Sequence, residues 1–218
     1  MDVSKKLPAA HAVLGSLAHR MSPKEASCMR RIQQIRSRSN QDSVVGSWAQ
    51  RSSIPHDMGR FLFGLIRQTK PRVCLELGTG IGISALYILC AMHLNRQGVL
   101  WSLEGDSVRA EMARQLVTAT PWHRQFRLVE GPFQKTLPKF FAQTKNFDMA
   151  FIDDCHEEAF VLDLWPKLRR RTSAGGILIY DDIRWSVGMN RAWNKMRIHP
   201  RVAWALDAER FGVISLRA

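Results

Sequence analysis

A doubly wound α/β sheet is the architecture this sequence predicts, on three observations. Five short apolar runs alternate with segments of helical period. A glycine cluster, Gly78-Thr79-Gly80-Ile81-Gly82, falls between the first run and the helix that follows it. The last two apolar runs, 202–206 and 211–216, are only a few residues apart. Strand–helix alternation implies right-handed crossovers, which put helices on both faces of a parallel sheet. The closing pair is too tight for a crossover helix and forms an antiparallel hairpin.

In chain order, residues 4–20 and 23–36 read as helices. The second opens with Ser22-Pro23-Lys24-Glu25: an N-cap, a proline at the first position and an acid in the first turn. Residues 37–47 are polar and read as a loop. A third helix starts near Ile54-Pro55, carries Met58, Phe61, Leu62, Leu65 and Ile66 on one face, and ends before Pro71. Strands are expected at 72–77, 99–104, 126–129, 147–152 and 176–180, with helices near 85–94, 108–118, 136–143, 157–170 and 189–196. With the terminal hairpin this makes a Rossmann-like, seven-stranded, mostly parallel sheet. Residues 1–54 are expected to form an N-terminal helical extension, a lid, partner or oligomer surface, and 55–218 the α/β domain.

Hydrophobic residues make up 45% of the 218 and charged residues 23%, an ordinary balance for a globular chain with a substantial core. No apolar run reaches the roughly 18 residues of a membrane span, and no cleaved signal is expected at the start. Cys28, Cys74, Cys90 and Cys155 have no paired spacing, which points to a reducing, cytoplasmic compartment. The net charge of +13 is the unusual bulk property, and residues 1–70 carry 12 Lys/Arg against 4 Asp/Glu. That balance admits a nucleic acid, an anionic membrane surface or an acidic carrier as partner. Nucleic acid is not the favoured reading, because no aromatic residues interleave the basic run Arg30, Arg31, Arg36, Arg38.

The glycine loop leaves bare backbone at the positive end of a helix, a place for a nucleotide-like ligand. Glu104 ends the second strand 22 residues beyond Gly82, where an acid can accept both ribose hydroxyls. This suits NAD and S-adenosylmethionine alike. Glu76 separates them, since a negative side chain beside the loop suits the amino and sulfonium end of S-adenosylmethionine better than a pyrophosphate.

A second constellation lies at the ends of the fourth and fifth strands: Asp153, Asp154 and His156, then Asp181 and Asp182. Taken singly, each acidic pair can be a helix cap or a solvated turn. Gathered at one sheet edge, the carboxylates repel one another unless a cation sits among them, and hard oxygen donors suit Mg²⁺, or Mn²⁺ or Ca²⁺. His156, with histidine's ordinary near-neutral pKa, suits proton removal from a hydroxyl.

On Glu76-Leu77-Gly78-Thr79-Gly80-Ile81-Gly82, Glu104, Gly131-Pro132-Phe133-Gln134, Asp148 with Ile152-Asp153, and Gly175-Gly176-Ile177-Leu178, the chain resembles a class I S-adenosylmethionine-dependent methyltransferase over residues 55–217. The resemblance places Phe133 and Gln134 beside the adenine. Asp153-x-x-His156 followed by Asp181-Asp182 is similar to metal-dependent O-methyltransferases, particularly the bacterial natural-product sugar and macrolide group. It implies Asp153, Asp181 and Asp182 as metal ligands, His156 as general base, and Glu76, Gly78, Thr79, Gly80, Gly82, Glu104 and Asp153 around the donor. Catechol-type relatives carry lysine at the base position and asparagine as the last ligand, so the chain departs from them at both. Asp154 stands where the sugar-modifying branch commonly has glycine. Arg184 and Trp185 are placed to wall the acceptor pocket, and Trp48 and Arg51 to belong to a lid.

The resulting expectation is methyl transfer to a hydroxyl of a small natural-product or sugar-like molecule, with Mg²⁺ or another divalent cation, in a protein whose N-terminal helices offer a homodimer surface. Two alternatives remain open. One is an RNA-methylating or RNA-binding protein using the basic N-terminal helices, against which stands the lack of an Asn/Asp-Pro-Pro-aromatic motif. The other is a non-catalytic S-adenosylmethionine-binding partner protein.

Overall fold

The computed structural model describes residues 21–41 and 54–217, with the side chains of 39–41 left aside. The helix expected over 4–20, and Trp48 and Arg51, lie outside the described residues. Helix α1 (Pro23–Gln41) starts on a reciprocal capping box: the Ser22 backbone N–H donates to Glu25 Oε2 at 2.9 Å, and the Glu25 N–H donates to Ser22 Oγ at 3.3 Å. It runs five residues beyond the expected end, through a segment read as a loop. Helix α2 (His56–Thr69) buries the expected face and ends with Lys70 in a left-handed conformation.

The alternating part follows as β1 (Val73–Leu77), α3 (Ile83–Asn95), β2 (Val99–Glu104), α4 (Ser107–Thr118), β3 (Phe126–Glu130), α5 (Phe133–Gln143), β4 (Phe147–Ile152), α6 (Glu158–Arg171), β5 (Thr172–Tyr180), α7 (Val187–Arg197) and the hairpin β6 (Val202–Ala208) and β7 (Phe211–Leu216). The sheet order is β3-β2-β1-β4-β5-β7-β6. The first five strands are parallel, and β7 pairs antiparallel with both β5 and β6. The strand order reverses between β1 and β4, which is where an open α/β sheet leaves its ligand crevice.

Alternation along β1 divides the core. Cys74 faces a cluster built from α1, α2 and α3, while Leu75 and Leu77 face one built from α5, α6 and α7. Helix α1 buries Met29 and Ile32 in the first cluster, so it is packed into the same core as the sheet. Polar ties reinforce this: Arg67 Nε donates to Glu25 Oε1 at 2.8 Å, and Arg36 Nη1 donates to the Ile54 carbonyl at 2.8 Å.

Asp148, one of the residues carrying the resemblance, clamps the far edge of the sheet. Its Oδ2 accepts from the Arg72 and Val73 backbone N–H groups at 2.8 and 3.0 Å, and its Oδ1 accepts from Ser173 Oγ at 2.9 Å. None of the described helices is long and apolar enough to cross a membrane.

Candidate active site

The carboxyl ends of β1, β4 and β5 open onto a cavity of about 370 Å³. Gly78, Thr79, Gly80 and Glu104 line one side; Asp153, Asp154, His156, Asp182, Trp185 and Arg210 line the other. The two constellations found in the sequence therefore share one space.

Its floor is the β1–α3 loop. Gly78 has φ +90°, and a Cβ there would come within 2.2 Å of the Asp153 carbonyl oxygen. Gly82 also has φ +90°, and a Cβ there would crowd Ala113 at 3.2 Å. Both positions serve the close approach of protein to protein as much as room for a ligand. Hydrogen bonds from Gly78 N–H to the Leu103 carbonyl at 3.0 Å and from Asp153 N–H to the Leu77 carbonyl at 2.9 Å join the loop to its neighbouring strands.

Glu104 lies where the spacing put it. Its Oε2 accepts from the Gly80 N–H at 2.7 Å and its Oε1 from the Asp106 N–H at 2.9 Å, so the acid fixes the loop as well as facing the cavity. Glu76 is one layer deeper: it is fully buried and absent from the lining. The Ser102 hydroxyl donates to Glu76 Oε2, and Ser102 Oγ and Thr79 Oγ1 are 2.5 Å apart. Glu76 Oε1 is buried with no hydrogen-bond partner among the described residues. Burial pushes the Glu76 carboxyl up to about 7; the Ser102 and nearby Ser84 hydroxyls offset part of this, and the Glu104 charge adds to it. Nothing local in the sequence marks Ser102, which opposes Glu76 across the β1–β2 pair.

On the opposite wall, Asp153, His156 and Asp182 each offer one donor atom, all within 4.8 Å of one another. His156 Nε2 is 3.7 Å from Asp182 Oδ2, and its ring centroid is 5.8 Å from that of Trp185, which is 72% exposed at the cavity mouth. Burial, followed by the charges of Asp181 and Asp182, raises the Asp153 carboxyl well above the usual carboxylate range; Arg210 opposes this. Asp182, with φ +50°, is raised by burial and by Asp181. This excess of negative charge around Asp153 is what a cation relieves, and two carboxylates with an imidazole form a suitable donor set for a divalent ion.

Asp181 is placed differently from the ligand set the resemblance implied. Fully buried, it accepts a two-pronged ion pair from Arg210, with Nε to Oδ1 and Nη2 to Oδ2 both at 3.0 Å. Phe133 and Gln134 do not line the cavity either. They border a separate shallow groove with Leu137, Pro138 and Phe141, and the Phe133 ring stands 6.0 Å from that of Phe160. Nor does Arg184: it donates to Asp207 Oδ1 at 2.9 Å and to the Glu209 carbonyl at 3.0 Å, bracing the hairpin. Trp185 alone of the two suggested acceptor-pocket residues faces the cavity.

Arg210, Arg109 and Ile54 line the cavity without having been singled out. No local signal distinguishes Arg210, whose place follows from the β6–β7 turn folding back onto β5. Outside this cavity, α1 presents Arg30, Arg31 and Arg38 along a groove of about 530 Å³ that also contains Leu116 and Ala119.

The profile of the family described as "Methyltransferase domain" matches residues 75–183, half of the chain. A catechol O-methyltransferase of Mycobacterium tuberculosis is 29% identical over 160 residues, 69% of this chain and 71% of that protein. Against three further mycobacterial relatives described as O-methyltransferases, the chain spans only 53 to 65% of their length. Among solved structures, an O-methyltransferase from Bacillus cereus in complex with SAH superimposes with a TM-score of 0.68 at 18% identity, covering 88% of this chain and 91% of that one. The O-methyltransferase TomG from Streptomyces achromogenes, involved in tomaymycin synthesis and solved with SAM, gives 0.68 at 16% identity with 96% of both chains covered. These likenesses agree with the strand order and with a cavity set over the glycine loop, and the chain belongs to the methyltransferase-domain family.

Proposed function

We propose that this protein is an O-methyltransferase that moves a methyl group from S-adenosylmethionine to a hydroxyl of a small molecule of natural-product or sugar-like type. The observation that carries the reading is the meeting, in one cavity, of the Gly78–Gly82 loop and Glu104 with the Asp153, His156, Asp182 cluster. When bound, S-adenosylmethionine supplies an electrophilic methyl group on a sulfonium, and a divalent cation supplies charge that acidifies the acceptor hydroxyl and fixes its oxygen.

The chain's own residues do the rest. The glycine loop offers backbone to the donor; Glu104, already holding the Gly80 N–H, presents its carboxylate to the ribose; buried Glu76 supports the loop from below through Ser102 and Thr79. Asp153 and Asp182 would hold the cation. His156 takes the hydroxyl proton onto its imidazole as the acceptor oxygen–carbon bond forms and the sulfur–carbon bond breaks, leaving S-adenosylhomocysteine and a methyl ether. Trp185 at the mouth is suited to cover the acceptor and keep water out.

The test is His156→Ala with a panel of hydroxylated acceptors. Turnover should fall by about 10² to 10⁴ while S-adenosylhomocysteine affinity stays near wild type. Unchanged turnover would remove the base assignment. The basic face of α1 supports a second reading, an RNA acceptor, and including RNA in the same panel separates the two: RNA binding that weakens steeply with salt, with site-selective methylation, would replace the small molecule.

A further inference from the structure

Two of the three carboxylates expected to hold a metal are already bonded to a cation that belongs to the chain. Arg210 sits in the two-residue turn Glu209-Arg210 between paired Ala208 and Phe211. Its backbone is fixed from both sides: the Arg210 N–H donates to the Ala208 carbonyl at 2.7 Å, and the Ile183 N–H donates to the Arg210 carbonyl at 2.8 Å. From there the guanidinium makes its two-pronged pair with Asp181, and Nε also lies 3.3 Å from Asp182 Oδ1. Asp181 has no solvent exposure, so the pair is dry on the carboxylate side, while the arginine side chain is 44% exposed and has room to leave.

We propose that Arg210 is the resident cation of this carboxylate cluster and that it competes with a divalent ion for Asp181 and Asp182. The inference rests on the metal-assisted reading above and adds a residue that sets metal affinity. A guanidinium keeps its charge across the working pH range, so this competitor is always present. A divalent ion therefore has two choices. It settles for Asp153 and the Asp182 oxygen that Arg210 does not hold, or it displaces Arg210 and gains Asp181. The first offers fewer hard donors, and the second spends binding energy on breaking a buried, bidentate ion pair. Either way the wild-type chain binds the ion more weakly than the same carboxylates would without the arginine.

Arg210→Met removes the charge and the fork while keeping an extended side chain. Titration calorimetry with Mn²⁺ alone should show binding at least tenfold tighter in Arg210→Met than in wild type. Adding Asp181→Asn to that variant should cancel most of the gain. Mn²⁺ should also raise the unfolding temperature of Arg210→Met more than that of wild type, because the buried Asp181 left without its partner is the group the ion relieves. Equal or weaker Mn²⁺ binding by an Arg210→Met protein that still binds S-adenosylhomocysteine would overturn the proposal. Should Arg210→Met not fold, Arg210→Lys keeps the charge and loses the fork; Mn²⁺ binding tighter than wild type supports the proposal, and equal binding overturns it. Failure of the methyl-transfer reading would appear as absent turnover with every acceptor and would leave these titrations unaffected.

Discussion

Replacing Glu76 with glutamine isolates the energetics of a buried acid beneath the glycine loop. The Glu76 carboxyl has no solvent exposure and is pushed from its ordinary 4.5 up to about 7, chiefly by burial. The folded state thus holds this proton more tightly than the unfolded chain, and stability must fall as pH rises from about 4.5 to about 7, with the whole penalty present above that range. At roughly 1.4 kcal/mol per pKa unit the full penalty is about 3.5 kcal/mol. The substituted amide never ionises and escapes it. The substitution has its own pH-independent cost, because the amide nitrogen falls at the buried Oε1 position or at the Ser102 contact. That cost shifts the variant-minus-wild-type curve vertically without changing its slope. Urea unfolding of both proteins from pH 5 to pH 8, without ligand, should give a stability difference that moves in favour of Glu76→Gln by about 2.5 kcal/mol, the remainder of the penalty being already present at pH 5. A flat difference, or one that moves the other way, would refute the placement of this acid as a buried, ionisation-penalised group.

Other expectations concern the loop and the cation. Gly78→Ala combines a positive φ, unfavourable for an L-residue by about 1–2 kcal/mol, with a contact of 2.2 Å to the Asp153 carbonyl. It should destabilise the protein by about 2–4 kcal/mol in chemical unfolding and weaken S-adenosylhomocysteine binding; wild-type stability would mean the loop does not pack on β4 in this way. Methyl transfer to a competent acceptor should drop at least tenfold in chelator and recover with Mg²⁺, whereas full activity in chelator would reassign Asp153 and Asp182 to donor binding or structure.

Most of the fold was legible because the signals that define it are local. Capping at Ser22–Glu25, the apolar face of α2, the βα alternation and the short gap before Phe211 each follow from neighbours in sequence. The misjudged segment, after residue 36, is polar in composition, and α1 nevertheless continues to Gln41. For the site, the period of the strands placed Glu104, Asp153 and His156 at the proper sheet edge, since a strand's end in a parallel sheet fixes where its next residue emerges. It did not say which way those side chains turn. Phe133, partly buried, packs near Phe160 against the second core cluster, and Arg184 pairs with Asp207 on a distant strand, contacts that neighbours in sequence do not specify.

By itself the sequence determined a doubly wound methyltransferase-type sheet, a glycine loop with an acid beside it, and a group of carboxylates and one histidine at the ends of β4 and β5. The tertiary structure decided how those charges are shared. Arg210, 29 residues after Asp181 in the chain, reaches it only because β7 runs antiparallel beside β5 and folds the hairpin turn over the site. Ser102 meets Glu76 only because β1 and β2 are in that particular register. Spacing along a chain encodes periodicity and turns, whereas the pairing of charges depends on distances across strands, and those exist only once the sheet has closed.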